Sequence, residues 1–289
     1  MRSLLFVPAD SPKKLDKGFA SGADCMLIDL EDSVALGSKP LARATATNFL
    51  ASARSSETRP RLYVRVNALE SGLLDDDLDA VMTQRPDGIM LPKCACGAHV
   101  QHLGAKLAVR EAENLFPDGS TRIVAIATET GASIFGMGSY AGASRRLVGL
   151  TWGAEDLSAD LGAETNRTPD GGYTPPYQLA RSMTLFAASA AEAQAIDTVY
   201  PNFRNLDGFR AECVAARRDG FTGKMAIHPD QVAVINEIFT PSEKELARAR
   251  AIVDAFAANP DAGVLGVEGE MLDRPHLRRA ERLLARVKG

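Results

Sequence analysis

The chain has 289 residues, 45% hydrophobic and 24% charged, which suits a globular protein with a substantial core in one large domain or two ordinary ones. A net charge of −4 and a pI near 5.7 exclude the basic surface of a nucleic-acid binder, though not a local basic pocket for a phosphorylated ligand. No apolar run approaches the roughly 20 residues that cross a bilayer, and the opening "MRSLLFVPAD" meets a proline too soon for a signal peptide, so the expected setting is the cytoplasm, with no membrane partner.

Short runs rich in Val, Ile and Leu recur along the chain. In order they are "SLLFVPA" (3–9), "CMLIDLE" (25–31), "RLYVRV" (61–66), "GIMLPK" (88–93), "RIVAIAT" (122–128), "RLVGLTW" (146–152), "AIDTVYP" (195–201) and "GKMAIHP" (223–229). Several are continuously apolar, as parallel strands covered by helices require. Helical patterns separate them. "SPKKLDKGFASGA" offers Ser11 as N-cap and Pro12 at the first helical position. "SKPLARATATNFLASAR" and "DGFRAECVAARRDG" place apolar residues at steps of three and four. Eight such units without a composition break predict a (β/α)8 TIM barrel over 1–239, an α/β fold. A doubly wound open sheet is the alternative, weakened because no strand is followed by G-x-G-x-x-G.

The tail, 240–289, reads as a C-terminal helical extension. It has a helix capped by Thr240 or Ser242, a strand-like "GVLGVEGEMLD" (263–273) and a terminal helix. Its size is too small for a core of its own, so it is expected to pack on its barrel or on a neighbouring subunit. Of the four cysteines, Cys25 and Cys213 fall in buried patterns, and Cys94-Ala-Cys96 lacks the spacing and second ligand pair of a zinc knuckle.

In such a barrel all eight strands deliver their carboxyl ends to one mouth, where chemistry collects. The second strand brings Asp29, Glu31 and Asp32; the third Arg65 and Asn67; the fourth Lys93; the fifth Glu129; the sixth Glu155 and Asp156; the eighth His228. Carboxylates gathered there repel one another unless a proton or cation intervenes, and all-oxygen ligation suits Mg²⁺. Glu129 and Asp156 come from adjacent strands and could share one ion, with Arg65 opposite them for a substrate carboxylate or developing oxyanion. A salt-bridge lattice without an ion fits the same residues, and the pattern alone leaves both readings open. Arg2 and the lysines Lys13, Lys14 and Lys17 read either as a solvated charged face or as a phosphate patch beside the mouth. The long Gly-, Pro- and Thr-rich connection at 158–178 reads as a mobile lid, whose Arg167 could touch substrate or CoA although exposed loop arginines usually do neither.

Together "RSLLFVPAD", "LIDLEDSV", "YVRVN", "GIMLPK", "ETGA", "WGAEDLSADLG", "GKMAIHPDQV" and "GEMLD" resemble the citrate lyase β-subunit-like and malyl-CoA lyase group of the HpcH/HpaI aldolase superfamily. The likeness runs from Arg2 to Asp273, and its motifs stand in family order. It implies a Mg²⁺-dependent carbon–carbon lyase acting on a β-hydroxyacyl-CoA of malyl, citramalyl or citryl type. The products would be a short acyl-CoA and a 2-keto acid, or the reaction would run in reverse. It also implies Glu129 and Asp156 as metal ligands, with Glu129 near substrate. Arg65 would be the catalytic holder of the thioester or carboxylate oxygen, and Arg2, Lys13 and Lys17 contacts to the CoA phosphates. Asp273 would be an acid/base reaching a neighbouring subunit, in a homotrimer or dimer of trimers. Leu272 stands where the group usually has Ile or Val. A thioesterase on the same site, a non-catalytic CoA- or metabolite-binding protein, and an aldolase for free 2-keto acids are the rival readings.

Overall fold

The structure, a computed structural model, describes residues 1–286. All eight apolar runs form strands: β1 (Ser3–Pro8), β2 (Cys25–Asp29), β3 (Arg61–Arg65), β4 (Gly88–Leu91), β5 (Arg122–Ile126), β6 (Leu147–Thr151), β7 (Gln194–Asp197) and β8 (Gly223–Ala226). They pair in parallel in chain order, and β1 closes on β8 to complete the expected barrel. The connections are α1 (Pro12–Phe19), α2 (Lys39–Ala53), α3 (Leu74–Val81), α4 (Gly97–Glu113), α5 (Gly131–Gly136), α6 (Ala154–Asp160), α7 (Pro175–Ala190) and α8 (Leu206–Asp219), and α9 (Pro229–Phe239) follows β8. Ser11 does precede α1 as its N-cap with Pro12 next, but its side chain makes no capping hydrogen bond.

Strand alternation produces two apolar layers. Leu4, Leu27, Tyr63, Met90, Val124, Ile196 and Met225 fill the barrel interior, while Leu5, Ile28, Val64, Ile89, Ala125 and Leu150 face the helices. Gly88 gives up its side chain to make this possible, since a Cβ there would lie 2.2 Å from the Tyr63 ring. The interior is therefore a packed core, and the open end of the barrel is where the strands stop.

Beyond Phe239 the chain forms a second compact unit, beginning at Thr240. Its first helix, α10 (Glu243–Ala258), is capped by Ser242. The Ser242 hydroxyl accepts from the Glu245 amide at 3.3 Å, and the Glu245 carboxylate accepts from the Ser242 amide at 2.7 Å. The strand-like run is a hairpin of β9 (Val264–Val267) and β10 (Glu270–Asp273), turned by Glu268 and Gly269 with φ of 50° and 85°. Two successive left-handed residues make the primed turn that suits hairpin twist. Helix α11 (Arg274–Ala285) follows. Contrary to the expectation from its size, this tail holds an apolar cluster of its own. The hairpin supplies Leu272 and Leu265 to Ile252 and Phe256 of α10 and Ala280 of α11. Among the described residues no helix is long and apolar enough to cross a membrane.

Candidate active site at the barrel mouth

Asp29 and Arg65 are register partners on β2 and β3, each two residues beyond a side chain of the barrel interior, so both point inward at the mouth. The guanidinium binds Asp29 with both arms, Nε to Oδ1 and Nη2 to Oδ2 at 2.7 Å each. Its Nη1 lies 2.9 Å from Glu31 Oε2, and its face covers the Phe6 ring at 4.7 Å. Burial alone would raise the Asp29 carboxyl, but Arg65 more than offsets this and holds it below the usual carboxylate range. Glu31, more weakly paired, is raised by burial against the pull of Arg65 and Lys93. Two of the five guanidinium N–H donors are hydrogen-bonded, both to Asp29, while the approach of Nη1 to Glu31 is an ion pair.

Across the mouth, Glu129 follows β5 and is almost fully buried. Burial, then the Asp156 charge, pushes its carboxyl up to about 8, although the Lys93 amide N–H donates to Glu129 Oε2. Asp156 sits half-buried in the first turn of α6. Gly153 explains why β6 ends in a glycine: a Cβ there would stand 2.6 Å from Glu129 Cγ. Lys93 turns through a left-handed conformation with φ of 50°, and its ammonium lies 2.5 Å from Glu31 Oε1 and 3.4 Å from Asp32 Oδ1. A buried carboxyl beside a second carboxylate suits a divalent cation with oxygen preference. Among the described residues no three His, Cys, Asp or Glu side chains form a closed cage, so such an ion would fill most of its shell from water and substrate.

Beneath these groups lies a support with two members that sequence patterns do not single out, Lys39 and Asp77. The buried Lys39 ammonium donates to the carbonyls of Leu30 (2.6 Å) and Glu31 (2.8 Å) and to Asn67 Oδ1 (2.8 Å). Asn67 donates its side-chain amide to Asp77 Oδ2 at 2.7 Å, and Asp77 in turn pairs with Arg43 Nε at 2.7 Å. This network ties the ends of β2 and β3 to α2 and α3.

The remaining expected residues divide. Lys13 and Lys17 are exposed on α1, Lys13 in the first turn near the mouth, and neither forms an ion pair among the described residues. Arg2 corrects the expected phosphate patch: it precedes β1, at the opposite end of the barrel, where its Nη2 lies 2.6 Å from Asp24 Oδ1. His228 stacks on Phe203 at the rim, with centroids 4.7 Å apart. Asp273 belongs to the second unit, where His276 Nδ1, 2.5 Å from Oδ1, holds its carboxyl below the ordinary range. The 158–178 connection is not a loose lid. Arg167 Nη1 lies 2.8 Å from Glu212 Oε2 and Nη2 donates to the Tyr173 hydroxyl at 2.6 Å. The Tyr173 ring meets Trp152 edge-on at 4.8 Å. The buried Lys224 joins Glu212 to Asp197, 2.7 Å from each, and Asp197 accepts from Trp152 Nε1 at 2.8 Å. Asn166 reaches Glu155 of α6 at 2.9 Å. Charge partners on β7, β8 and α8, all distant in sequence, therefore seat a loop whose composition suggests freedom.

Two family patterns match. That described as HpcH/HpaI aldolase/citrate lyase covers residues 2–229, and that described as a C-C bond lyase of the TIM-barrel fold covers residues 177–289. The citrate lyase subunit beta of Leuconostoc mesenteroides subsp. cremoris is 33% identical over 285 residues, 98% of this chain and 92% of the relative. The mitochondrial citramalyl-CoA lyase of Rattus norvegicus is 32% identical over 98% of this chain and 85% of its own length. Among solved structures, CitE of Mycobacterium tuberculosis in complex with magnesium, acetoacetate and coenzyme A superposes with a TM-score of 0.77 at 32% identity, covering 100% of this chain and 98% of that one.

Proposed function

The chain belongs to the HpcH/HpaI aldolase/citrate lyase family, and on that premise we propose that it is a Mg²⁺-dependent carbon–carbon lyase acting on a β-hydroxyacyl-CoA. The observation that carries this is the buried Glu129 carboxyl beside Asp156, at a mouth that also holds an arginine fixed by Asp29 with N–H donors to spare. Relatives support it: one is named a citramalyl-CoA lyase, a solved citrate lyase beta subunit from M. tuberculosis holds oxaloacetate and magnesium, and solved CitE holds magnesium, acetoacetate and coenzyme A. Glu129 and Asp156 would hold the ion. When bound, Mg²⁺ supplies positive charge beside the carbonyl and carboxylate oxygens of the keto acid.

In condensation, the Asp273 carboxylate takes a proton from the α-carbon of the short acyl thioester. Arg65 N–H groups not bonded to Asp29 would meet the enolate oxygen as charge gathers there. The enolate carbon then adds to the keto-acid carbonyl carbon, the new alkoxide takes a proton from water to give the β-hydroxyacyl thioester, and Asp273 returns its proton to solvent. Cleavage reverses these steps. Lys13 and Lys17 would meet the CoA phosphates, Lys13 from the first turn of α1 and Lys17 from its last, whereas Arg2 is left out of that role. Asp273 would serve the mouth of a neighbouring chain in a homotrimer or dimer of trimers, the His276 ring keeping it in its proton-accepting form.

The test is incubation with Mg²⁺, acetyl- or propionyl-CoA, and glyoxylate, pyruvate or oxaloacetate, with thioesters resolved by mass spectrometry. A new hydroxyacyl-CoA for one pair, cleaved again when supplied pure, supports the lyase. Release of free CoA and hydroxy acid alone identifies a thioesterase instead.

A further inference from the structure

We propose that Lys93 is a positioning residue that ties the two sides of the mouth together, its backbone holding the Glu129 carboxylate and its side chain holding Arg65 through Glu31. The inference rests on the lyase reading above. The backbone arm depends on an uncommon conformation: at φ of 50° a lysine is strained, and that turn aims its amide N–H at Glu129 Oε2. The side-chain arm runs in the other direction. The ammonium meets Glu31 Oε1 at 2.5 Å, and the second oxygen of the same carboxylate meets Arg65 Nη1 at 2.9 Å. Lys39 fixes the Glu31 backbone carbonyl from behind at 2.8 Å, so the carboxylate that joins the two cations is carried on a held backbone. Arg65 thus keeps its aim because Asp29 holds one edge and the Lys93–Glu31 pair holds the other.

The two arms can be separated. Lys93→Gly retains the N–H and relaxes the left-handed turn but lacks the ammonium, whereas Lys93→Val lacks the ammonium and disfavours the turn itself. Mn²⁺ affinity, measured by calorimetry without substrate, is expected to stay within about threefold of wild type in Lys93→Gly and to fall about 10–100-fold in Lys93→Val, the range for partners that orient metal ligands. In both variants kcat is expected to fall about 10–100-fold with a smaller change in KM. In a double-mutant cycle, Lys93→Gly combined with Arg65→Lys is expected to lose no more than Arg65→Lys alone. A merely structural lysine would lower stability in both variants without separating their Mn²⁺ affinities. Equal Mn²⁺ affinities in the two variants, or rate losses that multiply in the cycle, would overturn the proposal. Wild-type protein that takes up no Mn²⁺ or turns over no thioester overturns the lyase reading itself, and the inference with it. Lys93→Met, which preserves the stem packing, replaces Lys93→Gly in the cycle if the glycine variant does not fold.

Discussion

Arg65 has its orientation imposed from two sides, by a bidentate grip on Asp29 and an ion pair with Glu31, so its shape matters as much as its charge. Arg65→Lys preserves charge but cannot grip Asp29 bidentately while presenting a second pair of donors. Turnover should fall on the order of 10²–10³-fold with the fold intact, as circular dichroism and steady-state kinetics would show together. Wild-type turnover in a folded variant would remove Arg65 from the chemistry. Gly153 makes a complementary case in which the side chain is unwanted. Its backbone is ordinary, with φ of −114°, so Gly153→Ala should act purely by pressing on Glu129 Cγ, 2.6 Å from the new methyl. Calorimetry should find Mn²⁺ affinity down about tenfold, with little loss of melting temperature.

The 158–178 connection is held by chemistry contributed from β7, β8 and α8, and its anchor should be measurable. Removing the Arg167 guanidinium in Arg167→Met leaves Glu212 with one cationic partner instead of two and frees the Tyr173 hydroxyl. A cost of about 2 kcal/mol in denaturant unfolding is expected, together with protease cleavage near Arg167 that the wild type resists. The strands were legible in the sequence because burial on both faces leaves near-continuous apolar runs, and the mouth followed once they were counted. Glu129, Asp156 and Arg65 were visible for the same reason, as charges abutting apolar runs. Lys39, Asp77 and Glu212 were not, because their roles come from partners on other elements and a charged residue on a helix reads as solvated. The β9–β10 hairpin was hidden in a single strand-like run because its turn residue is Glu268, held at positive φ where sequence patterns lead one to look for Asn or Gly.

The barrel separates its functions between its ends. Opposite the mouth, Glu111 accepts from the Thr121 amide at 2.7 Å and from both terminal nitrogens of Arg146 at 2.9 and 2.7 Å. Burial opposes its ionisation, yet Arg146 and the loop amides draw its carboxyl down to about 2 from an ordinary 4.5. A lowered folded value means the stabilisation is complete above the ordinary value and is lost as pH falls from there through about 2. Acid titration of stability should show that loss, and Glu111→Gln should flatten it while lowering stability at neutral pH. The second unit, with a core of its own, makes a different prediction about assembly. Inactive Asp273→Ala and inactive Glu129→Ala chains, mixed and reassembled, should recover part of the activity if a site draws on two chains. No recovery despite proven subunit exchange would confine Asp273 to its own chain or remove it from the reaction.

The only tryptophan in the sequence is Trp152. Its indole N–H is bonded to Asp197, its ring abuts Tyr173 of the anchored connection, and it stands at the end of the strand that leads to Asp156. Excited at the red edge of its absorption, the native protein therefore emits from a single buried position next to the reaction centre. Its emission wavelength and quenching by iodide or acrylamide would report, without any label, whether that connection stays seated when substrate binds.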